Sequence, residues 1–225
     1  MSGGHRQPLE QLARRVRDKL SSDITGHDFW HVTRVRNLAL AIAGEEGGDL
    51  EVVEAAALLH DVFRPEEHAR GILHIGQEAQ AYMRDLLVIV GFPREKIPAV
   101  LYCIEVHEHY AFAGDPEAER IEARILQDAD RLDAMGAIGI ARALMFSGAH
   151  GLTLWDPEER PGAWSAHRPP QRSSIIHFQE KLLKLESTMH TATARRMARE
   201  RHAFMELFLR RFFAEWHEHG EPQDE

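Results

Sequence analysis

The chain has little cysteine and no long uninterrupted apolar run. Its single cysteine, Cys103, excludes an internal disulfide bond and is typical of a protein from a reducing compartment. No segment reaches the ~18 consecutive apolar residues that a membrane-spanning helix requires. The opening segment 1–6 also lacks the apolar stretch of a signal peptide. We therefore expect a cytoplasmic protein with no membrane partner.

Positive charge is also scarce. The chain has 36 acidic residues against 27 lysines and arginines, so its formal net charge is −9. Such an excess of negative charge opposes binding to the phosphate backbone of nucleic acid, and we predict no nucleic-acid partner. A small anionic ligand is still compatible with this charge, because a bound metal and a few local cations reverse the potential inside one pocket.

What the sequence does contain is helical periodicity along almost its whole length. Apolar residues recur at spacings of three and four, and the chain shows no alternating strand pattern and no β-hairpin signal. We predict an all-α, irregular multi-helix fold with a single core, formed by one domain over 1–225. The expected helices cover about 9–20, 27–44, 50–60, 75–90, 94–108, 121–128, 129–147, 175–189 and 191–216.

Three segments fall outside this helical pattern. The stretch after Asp61, with Pro65 and Gly71, is predicted to be irregular. The region near 148–172 is rich in proline, carries Trp155 and Trp164, and is predicted to be a long loop that shapes a site. A tryptophan in such a loop can stack on a base or close a lid. The segment 218–225 is predicted to be a polar tail.

The most informative residues are His60 and Asp61. They follow an apolar helical run, 52–59, where two adjacent polar groups are costly unless they are paired or bind a ligand. A carboxylate at a helix C-terminus also opposes the helix dipole by about 0.3–1 kcal/mol, which favours a compensating cation. Two interpretations are open: a metal site, or a buried histidine hydrogen-bonded to the aspartate.

A second polar pair is His31 and Arg34, which lie on one face of a predicted helix. A metal ligand beside a cation suits a phosphate that contacts both. The alternative interpretation is an ordinary surface helix.

The third candidate segment contains three aspartates among apolar residues. Asp130 and Asp133 share a helical face, so Asp133 is placed to accept a hydrogen bond from a ligating histidine. The alternative is a capping cluster for the small-residue helix 129–147, for which Asp128 is the better candidate. If Asp130 joins the histidines, the chain supplies the imidazole and carboxylate ligands that suit a divalent metal.

A lone histidine, a His-Asp pair and a distant aspartate, in this order, resemble the signature of the HD-domain superfamily of metal-dependent phosphohydrolases. The similarity spans roughly 24–216 and extends to a bacterial branch of small stand-alone proteins related to nucleotide pyrophosphohydrolases. Its signature region is 24–140, and the helices of 173–217 complete the core. The blocks that carry it are 60–64, His74 with Gly76 and Ala79, 104–107, 125–141, 178–183, 200–205 and 212–216.

The resemblance implies one divalent metal ion held by His31, His60, Asp61 and Asp130. Mn²⁺ or Mg²⁺ is favoured, with Ni²⁺, Co²⁺, Zn²⁺ or Fe as alternatives. Superfamily members hydrolyse phosphomonoester, phosphodiester or phosphoanhydride bonds, for which a metal lowers the pKa of water and polarises the phosphoryl oxygen. Asp61 is then expected to orient or deprotonate that water.

Cations near the metal are expected to stabilise charge on the phosphate oxygens. The candidates are Arg34, Arg64 and Lys181, the last either in the cleft or on the surface. Some HD nucleotidases have a glutamate three residues after the motif aspartate, and here that position is Arg64. This departure argues against a simple mononucleotidase and favours a longer polyphosphate chain.

Two further histidines, His74 and His107, are expected to line the pocket and contact substrate. Binuclear HD phosphodiesterases have additional histidines at comparable points, so the alternative is a second metal held by His74, His107 and His109.

The leading hypothesis is hydrolysis of a nucleoside triphosphate to a monophosphate and pyrophosphate, with a small phosphate-containing substrate as the partner. The alternatives are an HD phosphodiesterase or 5′-nucleotidase, a di-iron HD-fold oxygenase, and a sensor that binds metal without turnover. The sequence leaves the oligomeric state, base and sugar unknown.

Overall fold

A computed structural model describes residues 6–21, 27–162 and 173–217, and in these ranges all regular structure is helical. The all-α prediction is therefore confirmed. Trp164 and the predicted tail 218–225 lie outside the described residues. The helices are α1 (Arg6–Lys19), α2 (Phe29–Glu46), α3 (Leu50–Leu59), α4 (Arg64–Arg70), α5 (Gln77–Ile89), α6 (Ile97–Glu105), α7 (Ile121–Asp133), α8 (Gly136–Ala149), α9 (Ser174–Glu180) and α10 (Ala192–Trp216). Short 3₁₀ turns occupy Arg94–Lys96, Ala111–Ala113 and Leu182–Thr188.

The core is built around α3, which packs against α1, α2, α6 and α7. Seven of its ten residues are buried, so it is apolar on nearly every side, as a central helix must be. Asp49 caps its N-terminus by accepting hydrogen bonds from the amides of Glu51 (3.0 Å) and Val52 (3.3 Å). Cys103 of α6 is buried in the same core, as predicted for a cysteine that packs as a small hydrophobe.

The structure corrects the predicted break between the two helices that follow residue 120. The first, α7, continues through Asp128 to Asp133, and the chain turns only at Ala134 and Met135. Asp128 is therefore not a cap for the small-residue helix. It accepts hydrogen bonds from the backbone amides of His190 and Thr191, both at 2.8 Å.

Three other helix predictions also need correction. The stretch after Asp61 was expected to be irregular because of Pro65 and Gly71. It is instead the short helix α4, with the proline in its first turn and Gly71 ending it at φ 68°. The predicted helix over 94–108 ends at Glu105, so His107 follows the helix. The predicted helix over 175–189 divides into α9 and a 3₁₀ turn, with Lys181 at the junction.

The last helix agrees with its prediction: Thr191 caps α10 by accepting a hydrogen bond from Ala194 N at 3.2 Å. Among the described residues, no single helix is long and apolar enough to cross a membrane. The pair α7 and α8, bent by 72°, meets that test only when the two are combined.

Candidate metal centre

His31 enters the core from the first turn of α2. Asp28 caps this helix and accepts a hydrogen bond from the backbone amide of His31 at 2.8 Å. The ring is fully buried, and its Nδ1 lies 2.8 Å from Asp133 Oδ2. The helix start and the carboxylate together direct the Nε2 atom of His31 towards the centre of the molecule. The predicted acceptor role of Asp133 is confirmed.

His60 and Asp61 lie at the C-terminal end of α3, and both are buried. The ring of His60 is held by its own helix, because Nδ1 donates to the carbonyl of Ala57 at 2.9 Å. Its Nε2 therefore also points inward. Asp130 projects from the last turns of α7 towards the same place and is the most exposed of the four, at 20% of its side chain.

The four predicted metal ligands meet at one point; we call them the quartet (His31, His60, Asp61 and Asp130). The two Nε2 atoms are 3.1 Å apart. Asp61 Oδ2 lies 3.3 Å from His31 Nε2 and 3.5 Å from His60 Nε2. Asp130 Oδ1 lies 3.5 and 4.0 Å from the same two atoms. Two ligands about 2.1 Å from one ion are roughly 3.0–3.4 Å apart at right or tetrahedral angles, so this spacing suits a first-row divalent metal.

The protonation of the rings gives a second reason why the quartet fits a cation. The carbonyl of Ala57 only accepts, so the Nδ1 of His60 must carry the hydrogen. Asp133 imposes the same tautomer on His31. When both rings are neutral, they direct lone pairs at each other across 3.1 Å, beside two carboxylates. Only a proton or a metal ion between them relieves this repulsion.

The electrostatics of Asp61 agree with a ligand role. Burial raises the pKa of this carboxyl, but His60, Arg64 and His31 outweigh burial and hold the pKa well below its usual range. One oxygen, Oδ1, accepts from Arg64 Nε at 2.9 Å. The other, Oδ2, is buried and has no hydrogen-bond partner among the described residues. A buried carboxylate oxygen without a partner is costly, and a metal ion would satisfy it.

A second group of possible metal ligands adjoins the quartet: Asp61, His74 and His107, with ligand atoms within 4.8 Å of one another. The Nδ1 of His107 donates to the carbonyl of Ile104 at 2.6 Å, which leaves its Nε2 facing the pocket. Burial lowers the pKa of His107 to about 4, so this ring is neutral at physiological pH. His74 is 2% exposed, and neither of its ring nitrogens has a well-directed hydrogen bond among the described residues.

Arg34 and Arg142 flank the quartet on the side of Asp133. Arg34 donates to Asp133 from Nε (2.7 Å) and Nη2 (3.0 Å), and Arg142 donates from Nη1 (3.0 Å). The carboxylate is 2% exposed, whereas the arginine side chains are 35% and 16% exposed. This places two cations between the buried aspartate and solvent. Both are linked to His31 through Asp133.

The other predicted cations, Arg64 and Lys181, have different partners. Arg64 contacts three carboxylates, those of Asp61, Glu67 and Glu108. The Nζ of Lys181 lies 5.1 Å from the ring centroid of Tyr110, and its charge helps to lower the pKa of Glu108.

Several residues near the site were not identified from the sequence. Arg142 is the only charged residue of α8, and this isolation in a small, apolar helix was the available signal. Glu67 and Glu108 gave none, because glutamates are common on helix surfaces. Trp155 was expected to bind a base or close a lid, but it packs against Phe213 and Trp216 of α10, with ring centroids 4.9 and 5.0 Å apart.

Comparison with known proteins agrees with this geometry. The HD-domain family profile matches residues 29–135. YpgQ of Bacillus subtilis is 38% identical over 204 residues, which cover 89% of this chain and 90% of YpgQ. Its crystal structure in complex with ADP has a TM-score of 0.71 at 34% identity and covers 92% and 94% of the two chains.

Two other solved structures are similar over nearly their full lengths. A Lactobacillus plantarum protein has a TM-score of 0.80 at 35% identity, over 93% of this chain and 96% of that one. An HD-superfamily hydrolase from Bacillus thuringiensis has a TM-score of 0.72 at 35% identity, over 94% and 98%. With its His, His-Asp and Asp side chains converging on one point, this chain belongs to the HD-domain superfamily.

Proposed function

We propose that this protein is a metal-dependent phosphohydrolase that cleaves nucleoside triphosphates to monophosphates and pyrophosphate. The observation that carries the proposal is the convergence of the quartet, with two histidine Nε2 atoms 3.1 Å apart and an unpartnered Asp61 Oδ2 beside them. The structure of YpgQ with ADP supports a nucleotide as the substrate.

The residues of the quartet hold one divalent ion, and Mn²⁺ or Mg²⁺ is favoured. When bound, such an ion supplies hydroxide near neutral pH and polarises the phosphoryl oxygen. We assign Asp61 to holding the metal ion and orienting the water, and not to deprotonating it, because a carboxyl with a strongly lowered pKa is a weak proton acceptor. Asp133 fixes the ring of His31 and does not itself reach the reacting atoms.

The substrate phosphates bind beside the quartet, next to Arg34. The side chain of Arg34 is more exposed than that of Arg64, and Arg34 lies one helical turn from His31. We also assign Lys181, His74 and His107 to contacts with the substrate. A planar guanidinium suits the charge that spreads over phosphate oxygens during transfer.

One observation favours a second candidate function. Asp61, His74 and His107 form another possible metal group that shares Asp61 with the quartet. Two adjacent metals would suit a phosphodiesterase, because a pair of ions can clamp both the attacking and the leaving oxygen.

Metal analysis combined with product analysis tests the proposal. The purified protein is stripped with a chelator, reloaded with Mn²⁺ or Mg²⁺, and given nucleoside tri-, di- and monophosphates and a phosphodiester. Asp130→Asn is compared with Asp85→Asn, an exposed aspartate of α5 remote in sequence from the quartet. We expect pyrophosphate from triphosphates, lost in the first variant and kept in the second.

The products separate the other functions. Orthophosphate from monophosphates indicates a nucleotidase, and cleavage of the diester alone indicates a phosphodiesterase. Metal binding without any product indicates a sensor. Two irons per chain without hydrolysis would refute the proposal.

A further inference from the structure

Arg64 lies directly behind Asp61 and is surrounded by carboxylates. Its Nε donates to Asp61 Oδ1 at 2.9 Å and its Nη1 to Glu67 Oε2 at 2.8 Å, while its Nη2 donates to Glu108. Each of the three nitrogens of the guanidinium therefore serves a different carboxylate. The side chain of Arg64 is 15% exposed, whereas that of Arg34 is 35% exposed and so is more open to an incoming phosphate.

Two of these carboxylates also bracket His74. Glu67 Oε2 lies 3.0 Å from His74 Nδ1, and Glu108 Oε2 lies 3.4 Å from His74 Nε2. Arg64 thus restrains both neighbours of this buried ring.

We infer that Arg64 is a positioning residue for the metal centre and does not bind the substrate phosphates. It holds Asp61 by one oxygen, so that Oδ2 faces the histidines of the quartet, and it fixes His74 through Glu67 and Glu108. The inference rests on the proposed metal-dependent function, and it replaces the role in phosphate binding that the sequence suggested for this arginine.

Position 64 requires the planar guanidinium of an arginine, whose three nitrogens point in different directions. A lysine at 64 would keep the charge but bring a single nitrogen to three carboxylates that now occupy three separate directions. A glutamine would leave those carboxylates without a cation in a largely buried place, where unpaired charge is costly. Neither substitution can hold Asp61 and at the same time hold Glu67 and Glu108 beside His74.

The test separates metal binding from nucleotide binding. Arg64→Lys and Arg64→Gln are compared with Arg36→Lys, a partly exposed arginine of α2 whose Nε donates to Glu54 at 2.8 Å, away from the quartet. Calorimetry gives the Mn²⁺ dissociation constant, the visible spectrum of bound Co²⁺ reports ligand geometry, and kinetics at saturating Mn²⁺ give the KM for a nucleoside triphosphate.

We expect both Arg64 variants to bind Mn²⁺ about 10–100-fold more weakly and to change the Co²⁺ spectrum, with KM within about twofold at saturating metal. The Arg36 variant keeps wild-type values. Unchanged metal affinity with a tenfold higher KM would instead show that Arg64 binds phosphate, and it would overturn the inference.

Two further outcomes are separable. If the wild type binds metal but hydrolyses no nucleotide, the proposed function fails, while the Mn²⁺ affinities and Co²⁺ spectra still decide the role of Arg64. If both Arg64 variants fail to fold, Glu108→Gln keeps the guanidinium but loosens its fork. A folded Glu108→Gln protein with wild-type Mn²⁺ affinity and Co²⁺ spectrum would also overturn the inference.

Discussion

Replacing Asp133 offers a graded test of how the metal centre is assembled. Its Oδ2 is within hydrogen-bond distance of three donors: His31 Nδ1 at 2.8 Å, Arg34 Nη2 at 3.0 Å and Arg142 Nη1 at 3.0 Å. Its Oδ1 accepts one bond, from Arg34 Nε at 2.7 Å. The two oxygens are therefore unequal. A substitution that keeps an acceptor at the position of Oδ2 should weaken metal binding less than one that removes it.

In Asp133→Asn, the amide should place its oxygen where Oδ2 stood, because this keeps three bonds and sacrifices only the one from Arg34 Nε. The orientation of His31 survives, but the negative charge behind its ring is lost. Asp133→Leu removes every acceptor and leaves buried donors unpaired. Losing the partner of a metal-ligating histidine typically costs 10–100-fold in metal affinity. We expect Mn²⁺ to bind about tenfold more weakly to Asp133→Asn and about 100-fold more weakly to Asp133→Leu, or roughly 1.4 and 2.8 kcal/mol of binding free energy.

The assay is competition for Mn²⁺ against a chelator of known affinity, with circular dichroism to confirm folding. Asp85→Asn, on the surface of α5, is the control and should bind Mn²⁺ like the wild type. Wild-type Mn²⁺ affinity in a folded Asp133→Leu protein would refute the reasoning, because His31 would then need no partner at Nδ1.

Three other predictions concern stability. Mn²⁺ at 100 times its dissociation constant should raise the free energy of unfolding by about 2.7 kcal/mol and Tm by about 6 °C for 225 residues. Asp61→Ala should show no such shift in Tm. An equal shift in that variant would contradict the assignment of Asp61 as a ligand. Gly139→Ala should lower the free energy of unfolding, measured with urea, by about 3 kcal/mol or more, because the new methyl group would collide with the carbonyl of Ala134. Gly148→Ala, in the same helix, places its methyl group in open space and should be neutral or stabilising by up to ~1 kcal/mol. Burial, with a neighbouring lysine, lowers the pKa of His177 to about 3. Between pH 6.5 and 3 the unfolded chain binds a proton that the folded chain does not, so stability falls as pH falls, by on the order of 2 kcal/mol at pH 5. His177→Gln should flatten this part of a pH series of unfolding midpoints.

Most of the helices could be predicted from the sequence because their signals are local. The apolar run of α3, its cap at Asp49 and the cap of α10 at Thr191 depend on residues within a few positions of each other. The errors also have local causes. Pro65 indicated a break, but proline is tolerated in the first turn of a helix, and α4 begins there. The turn at Ala134 was missed because Met135, the N-cap residue of α8, makes no side-chain capping hydrogen bond and so gives no local signal for a helix start.

The sequence by itself determined the helical character, the buried His60-Asp61 pair and the four residues offered to a metal, since these depend on residue type, spacing and family resemblance. Only the tertiary structure decided which cation serves which carboxylate. Arg34 and Arg64 look equivalent in sequence, each three residues after a predicted ligand. In the fold, Arg34 meets one aspartate from α7 and remains partly exposed, while Arg64 is enclosed by three carboxylates, one of them 44 residues away. Side-chain partners at such separations are set by how the helices pack, and no local pattern encodes them.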